Sequence, residues 1–481
     1  MTTLSFPTII QGGMGVAISD WRLARAVSKA GQLGVVAGTA LDRVLIRRLQ
    51  TGDMGGHVRR AMEHFPFPEI AKRILEREFI PGGKAEGERF REKGLGSLEL
   101  SDDLTERLVV GNFVEVFLAR EGHSNPVGIN YLEKIQLPTL PALFGAMLAG
   151  VGYVLMGAGI PTAIPGILDR LAVGQDVELP IAVEGRLDGE RFVTRFDPTA
   201  FCNGDAPKLD RPRFLGIISS HAIASRLVRG AKGEVDGFIV EGPTAGGHNA
   251  PPRSRAGLSE SGEPIYGERD EPDLAKVAAL GRPYWLAGSF AGPARLQEAL
   301  DLGATGVQVG TAFAYCEESG LPFEHKQRVL ARSFAGKAEI FTDPKASPTG
   351  FPFKVVKLTG TLSDDELSEA RTRICDLGYL RSAYRKEDGK VAWRCASEPI
   401  EQYLKKGGRL EDTVGRKCVC NGLMSTIGFG QVQRDGTTEL PILTSGNDVE
   451  GVARFLAEGA TSYTAADVLD HLLSRHRENA S

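Results

Sequence analysis

Eight short apolar runs, near residues 8, 35, 127, 154, 215, 239, 285 and 307, each give way to a polar or glycine-rich segment. Runs this short and this uniformly apolar read as strands buried on both faces, the usual condition of a parallel sheet. Strand, turn, helix and strand recur along the chain, and eight such units predict an α/β fold of the closed (β/α)8 TIM barrel type. An open doubly wound sheet is the competing architecture. Against it, the glycine clusters are spread over many strand ends, and Gly157-Ala158-Gly159 lacks the third glycine of a dinucleotide fingerprint and runs into Pro161.

Two stretches interrupt this rhythm and a third ends it. Residues 51–107, after the second strand, carry ten basic and twelve acidic side chains. The helical spacing of Ile70, Ile74 and Leu75 predicts a charged helical insertion packed over the body, serving either as a lid over a site or as surface decoration. Ile181 to Val183 and Phe192 to Phe196 flank Asp188-Gly189 and predict an added hairpin. The alternation stops after the helical pattern Phe323 to Arg332. Ser347 to Pro352 reads as extended chain, and Leu367 to Leu377, Ile400 to Lys405 and Ala465 to Leu473 read as helices. The expected organisation is a barrel over residues 1–335 and a mainly helical C-terminal extension over 336–481.

Charge and cysteine content exclude several functions. With 57 basic and 61 acidic side chains the net charge is −4, so no basic field is expected to attract nucleic acid or an anionic membrane. No uncharged apolar stretch reaches membrane-spanning length, and the opening MTTLSFPTIIQGG shows no basic n-region or cleavage site, so a cytoplasmic location is expected. The six scattered cysteines are too few for a disulfide scaffold and are expected to be reduced. Cys375, Cys395, Cys418 and Cys420 match no standard ligand spacing. They read as buried thiols, with a four-thiolate metal or redox site as the alternative, and no metal is expected.

A barrel carries its active site at the carboxyl ends of its strands. Those ends fall at Gln11 to Gly15, Gly38, Asn130, Gly157 to Gly159, Ser219 to His221, Glu241 to His248, Gly288-Ser289 and Gly310-Thr311. In Val235 to Arg253 a buried strand breaks into GPTAGGH, whose two glycines would let backbone amides approach a ligand while His248 supplies a proton acceptor. A tight turn with a surface histidine is the plainer reading. Gly288 and Gly310, at the last two strand ends, would present amides to a phosphate, with the Thr311 hydroxyl beside them. His221 is a rival base, although a histidine at a helix start is more often structural. His57, His64 and His123 read as solvated.

The blocks QGGMG at 11–15, PVGIN at 126–130, GPTAGGH at 242–248, LAGSF at 286–290 and GATGVQVGTAF at 303–313 resemble the nitronate monooxygenase (2-nitropropane dioxygenase) family. That family is related to the FMN-dependent enoyl-acyl carrier protein reductases. The resemblance covers roughly residues 5–335 and implies an FMN-binding barrel in which Gly12, Gly13 and Met14 pass under the flavin ring and Asn130 bonds to it. It implies that Gly288, Gly310 and Thr311 hold the phosphate and that His248 is the acid–base residue. Gln11, Glu241, Gly246, Gly247 and Ser289 complete the expected cofactor-binding set. Departures are Glu241 where the family usually has glutamine, Thr244 where it has an acidic residue, and Ser289 within its usual double glycine. The implied activity is oxidation of alkyl nitronates with molecular oxygen; the alternative is an NAD(P)H-using reductase of an enoyl thioester or quinone. The expected partners are therefore a small-molecule substrate and oxygen or NAD(P)H, and a homodimer is an open assembly.

Overall fold

The computed structural model describes residues 6–91, 94–253 and 257–478. Residues 1–5, where no leader is read, lie outside the described residues. Eight parallel strands, Ile9–Gln11, Leu33–Ala37, Val127–Leu132, Tyr153–Gly157, Arg213–Ile218, Gly237–Glu241, Tyr284–Ala287 and Gly306–Val309, close into a barrel in chain order. The first strand pairs with both the second and the eighth, which removes every free edge. All eight expected runs are barrel strands. The registers Gln11↔Val309, Ala37↔Asn130 and Ala287↔Glu241 bring their carboxyl ends to one rim.

The uniform hydrophobicity of these runs follows from where alternate side chains go. Ile10, Val35, Leu155, Leu215, Ile239 and Trp285 fill the barrel interior, while Ile9, Val36, Val154, Phe214, Phe238 and Leu286 pack outward among the helices. Both faces of each strand are thus buried in hydrocarbon, and a polar residue at either phase would lose its hydration. At the amino end, Trp285 Nε1 donates to the Pro7 carbonyl at 2.7 Å and Phe6 meets the indole edge-on at 5.7 Å. That end is plugged, which leaves the carboxyl rim to form a site.

A helix sits close on a strand at Gly34, and two neighbouring strand segments approach as closely at Gly306. A Cβ on Gly34 would lie 1.9 Å from the Ala24 carbonyl oxygen, and one on Gly306 would lie 1.8 Å from the Thr8 oxygen. Only glycine permits that approach.

The charged insertion forms the helices His57–Glu63 and Pro68–Glu78 and packs on Asp102–Arg120. Phe65 meets Phe113 at 5.1 Å, and Arg77 pairs with Asp103 at 2.8 Å. His64 is exposed, as the solvated reading expects, whereas His57 and His123 are half-buried against the helices. His57 packs on Trp21 at 5.0 Å, His64 stacks on Phe117 at 4.8 Å, and the His123 ring bonds to the Ala119 carbonyl at 2.8 Å.

The structure departs from the sequence reading in two places. The hairpin forms between Val177–Pro180 and Val193–Phe196, whereas Val183–Glu184 pairs in parallel with Ser382–Arg385. The C-terminal extension forms the expected helices Ile400–Lys405 and Ala465–Glu478, along with strands that the sequence reading did not expect. It carries two antiparallel ladders, Ile340–Asp343 with Phe353–Val356 and Ser382–Arg385 with Val391–Arg394. Of the expected Leu367 to Leu377 helix only residues 367–370 are helical, as the end of the helix Asp365–Ala370. Strands of four residues leave too little pattern to separate period two from period 3.6. A buried hydrogen bond from the Tyr379 hydroxyl to Asp42 ties the extension to the barrel, and within the extension Arg371 and Glu439 pair twice at 2.6 Å.

Replacing Gly34 by Ala forces the first helix off its strand and is expected to cost about 2 kcal/mol or more, in the range of overpacked cores. Urea unfolding measures this, and a variant of unchanged stability would contradict the contact.

Candidate active site

At the carboxyl rim three adjoining cavities meet at Glu241. One of about 140 Å³ surrounds His248, and one of about 130 Å³ lies over the glycines of the first, seventh and eighth strand ends. The third, about 380 Å³, runs past His248 towards Arg253 and Tyr266. Their shared walls make one cleft across the barrel mouth.

Closing the barrel gathers most of the expected site residues, which are far apart in sequence. Gly12, Gly13, Met14, Gly288, Ser289, Gly310 and Thr311 line the glycine-floored part. Asn130 and His248 line the central part, and Glu241, Gly246 and Gly247 border both. Gln11 does not reach the cleft. It is fully buried between strands, where its amide nitrogen donates to Ser19 Oγ at 2.9 Å and its oxygen accepts from Val35 N–H at 3.0 Å. Its work is to tie the first strand to the second. His221 does not line these cavities either, which leaves His248 as the base candidate at the rim.

The rim is strained. Ala40, Ala158 and Ser289 line the cleft with φ of +59°, +55° and +59°, a region that costs a side chain of this kind on the order of 1 kcal/mol. Two buried acceptors in the cleft wall, Asn130 Oδ1 and Gln308 Oε1, have no partner among the described residues. Such atoms normally pair, so both call for a ligand N–H or an ordered water. Gln308, the polar residue inside the otherwise apolar run Gly306–Val309, was the sequence signal for this.

The extension supplies the outer wall, where sequence reading left open whether it or the charged insertion reshapes the pocket and named none of its residues. Among its described residues, the charged insertion lines none of the three cavities. Leu377, Leu380, Val419, Leu423 and Met424 form an apolar face in the central cavity together with His248. The loop carrying His248 is laced to the extension by backbone bonds: Asn249 N–H to Pro352 O at 2.9 Å, Lys354 N–H to Gly247 O at 2.9 Å, and Asn447 N–H to Thr244 O at 3.1 Å. The double glycine serves this lacing. A Cβ on Gly246 would lie 2.7 Å from the Gly446 nitrogen, and the Gly247 N–H donates to Thr444 Oγ1 at 3.0 Å. The Thr311 hydroxyl likewise accepts the Gly446 N–H at 2.9 Å. At least one amide expected to face a ligand is therefore spent on the chain itself.

Electrostatically the cleft favours neutral groups. His248 and Glu241 line the cavities but are enclosed by protein on their other sides. Burial holds the His248 imidazole down at about 4 and pushes the Glu241 carboxyl up to about 7. His248 Nε2 lies 2.7 Å from Ser347 Oγ, and its ring packs on Phe353 at 4.7 Å. The six cysteines are free, and among the described residues no group of three or more His, Cys, Asp or Glu side chains could hold a metal.

These shifts predict opposite stability profiles. For His248, the neutral form stabilises the fold fully above about pH 6.5, and that contribution is lost as pH falls towards 4. For Glu241, the contribution is present below about 4.5 and lost as pH rises towards 7. In urea titrations across pH, His248→Gln is expected to remove the acid-side loss and Glu241→Gln the loss on the other side. An unchanged profile in either variant would show that group to be solvated.

Residues 206–345, which include the fifth to eighth strands and His248, match the family model described as nitronate monooxygenase. A probable nitronate monooxygenase of Bacillus subtilis (strain 168) is 37% identical over 96 residues, 20% of this chain and 26% of that protein. The chain thus spans about a quarter of the length of the curated relative it matches. Among solved structures, FabK from Thermotoga maritima aligns at a TM-score of 0.48 and 16% identity, covering 100% of this chain and 96% of that one. Nitroalkane oxidase from Streptomyces ansochromogenes aligns at 0.47 and 15%, covering 100% and 99%. The likeness to the nitronate monooxygenase family model is thus confined to residues 206–345, less than a third of the chain.

Proposed function

We propose that this protein is an FMN-dependent oxidoreductase that oxidises alkyl nitronates with molecular oxygen. The observation that carries the reading is a buried neutral imidazole, His248, beside a glycine-floored cleft with two unpaired acceptors in its wall. The match to the nitronate monooxygenase family model over residues 206–345 supports it.

The residues present fit a flavin. Asn130 Oδ1 and Gln308 Oε1 offer acceptors to a heterocycle bearing N–H groups. Gly12, Gly13 and Met14 leave a floor of backbone and thioether on which a flat ring can rest. Gly288, Ser289, Gly310 and Thr311 would hold the phosphate end, where the Thr311 hydroxyl hydrogen is still available to an anion. Asp448 at that end is paired with Arg454 at 3.3 Å, which balances its charge. A bound flavin supplies the electron transfer that no side chain here can perform.

The protein's own part is to hold the substrate and control charge. His248 contacts the nitronate head group or, with a parent nitroalkane, takes the α-proton. The neutral Glu241 carboxyl donates a hydrogen bond and, while protonated, places no negative charge beside the anion. The apolar face from Leu377 to Met424 excludes water and accepts the alkyl chain. That same face favours the second reading, an NAD(P)H-dependent reductase of an enoyl thioester, whose acyl chain needs an apolar wall. A cytoplasmic location suits either reaction, and among the described residues no helix is long and apolar enough to cross a membrane.

With FMN bound, propionate 3-nitronate or 2-nitropropane nitronate should drive oxygen uptake, with kcat/KM falling as pH rises through about 7 and Glu241 becomes anionic. Glu241→Gln should flatten that limb. No uptake from a flavin-loaded protein, together with anaerobic bleaching by NADPH alone, would overturn the nitronate reading in favour of the reductase.

A further inference from the structure

The expected extended segment Ser347 to Pro352 lies against the histidine of the cleft, 99 residues away in sequence. Ser347 is fully buried, and its Oγ lies 2.7 Å from His248 Nε2. The backbone around it is fixed from several directions. Asp343 accepts from the Lys345 and Ala346 amides at 2.8 and 2.9 Å, and Arg416 donates to the Lys345 and Ser347 carbonyls at 2.7 and 2.5 Å. Lys417 N–H reaches the Ala346 carbonyl at 2.9 Å. A hydroxyl held this firmly can hold an imidazole in turn, and Phe353 fixes the ring plane at 4.7 Å.

The direction of the hydrogen bond follows from counting donors. Ser347 Oγ accepts the Thr349 N–H at 3.3 Å and lies 2.8 Å from Thr349 Oγ1, which itself accepts the Phe351 N–H at 3.3 Å. If the Thr349 hydroxyl donates to Ser347, both Ser347 lone pairs are filled and its own hydrogen points to Nε2. Every hydroxyl hydrogen then has an acceptor. The reverse direction leaves the Thr349 hydroxyl hydrogen with none among these groups. Nε2 as acceptor puts the ring proton on Nδ1.

We propose that Ser347 is a positioning residue: by donating to Nε2 it locks His248 as the Nδ1–H tautomer, so that the imidazole offers an N–H to an anionic substrate oxygen. The inference rests on the reading of His248 as the substrate-facing residue. It adds that the C-terminal extension completes the active site and that the site is built for the preformed nitronate more than for its parent nitroalkane, whose α-proton needs a bare ring nitrogen.

The test has an arm independent of turnover. In the ¹⁵N-histidine-labelled protein near pH 7, the long-range ¹H–¹⁵N spectrum, with His248→Gln used for assignment, should show a protonated Nδ1 and an unprotonated Nε2 at His248. A dominant Nε2–H form, or averaged shifts, would overturn the proposal whether or not the protein oxidises nitronates, and this arm is read on the wild-type protein without any turnover. In Ser347→Ala the His248 signals should move towards tautomer averaging. Nitronate kcat should fall tenfold or more with KM changed less than threefold, and the preference for nitronate over nitroalkane should narrow. Ser347→Thr should restore both the spectrum and kcat. Wild-type kinetics and spectrum in Ser347→Ala would overturn the proposal. If the wild-type spectrum holds but no nitronate is turned over, the functional reading fails and the positioning role stands.

Discussion

Closure of eight parallel strands is the constraint on which the rest of the structure depends. Once the first strand bonds to the eighth, every strand must end on the same rim, and segments far apart in sequence are brought together there. The plug of Phe6, Pro7 and Trp285 closes the amino end, so chemistry has one place to occur. His248, Glu241, Asn130 and the glycines of the last two strands share a cleft as a consequence of barrel closure and of no local pattern.

The barrel was legible in the sequence because a strand buried on both faces leaves a strong mark, and all eight runs kept their places. The barrel side of the site was legible for the same reason, since strand ends can be read from where apolar runs break. Gln11 shows the limit. It stands at a strand end beside two glycines, yet its side chain turns sideways to Ser19 and Val35, a choice made by neighbours that sequence spacing does not reveal. The four-residue strands of the extension left too short a pattern to be told from helix. The extension's part in the site left no local trace: Gly247 and Thr444 are 197 residues apart, and His248 and Ser347 are 99 apart.

Those long-range contacts change what the glycine loop is for. A double glycine before a histidine suggests amides bared for a ligand. Here Gly246 admits the backbone of Ser445 and Gly446, and Gly247 spends its amide on Thr444. The barrel supplies the floor and the extension supplies the wall, and His248 is held between them by Ser347 and Phe353. Desolvation then keeps both the imidazole and the Glu241 carboxyl neutral near pH 6, an arrangement suited to binding an anion without an opposing carboxylate.

The central claim, a flavin held across the barrel mouth, is tested most directly by the visible absorbance of the purified protein after incubation with FMN and removal of unbound cofactor. The account predicts a yellow protein carrying about one FMN per chain, with the uptake abolished by a bulky side chain at Gly13. A colourless protein, or uptake unaffected by that substitution, would contradict it.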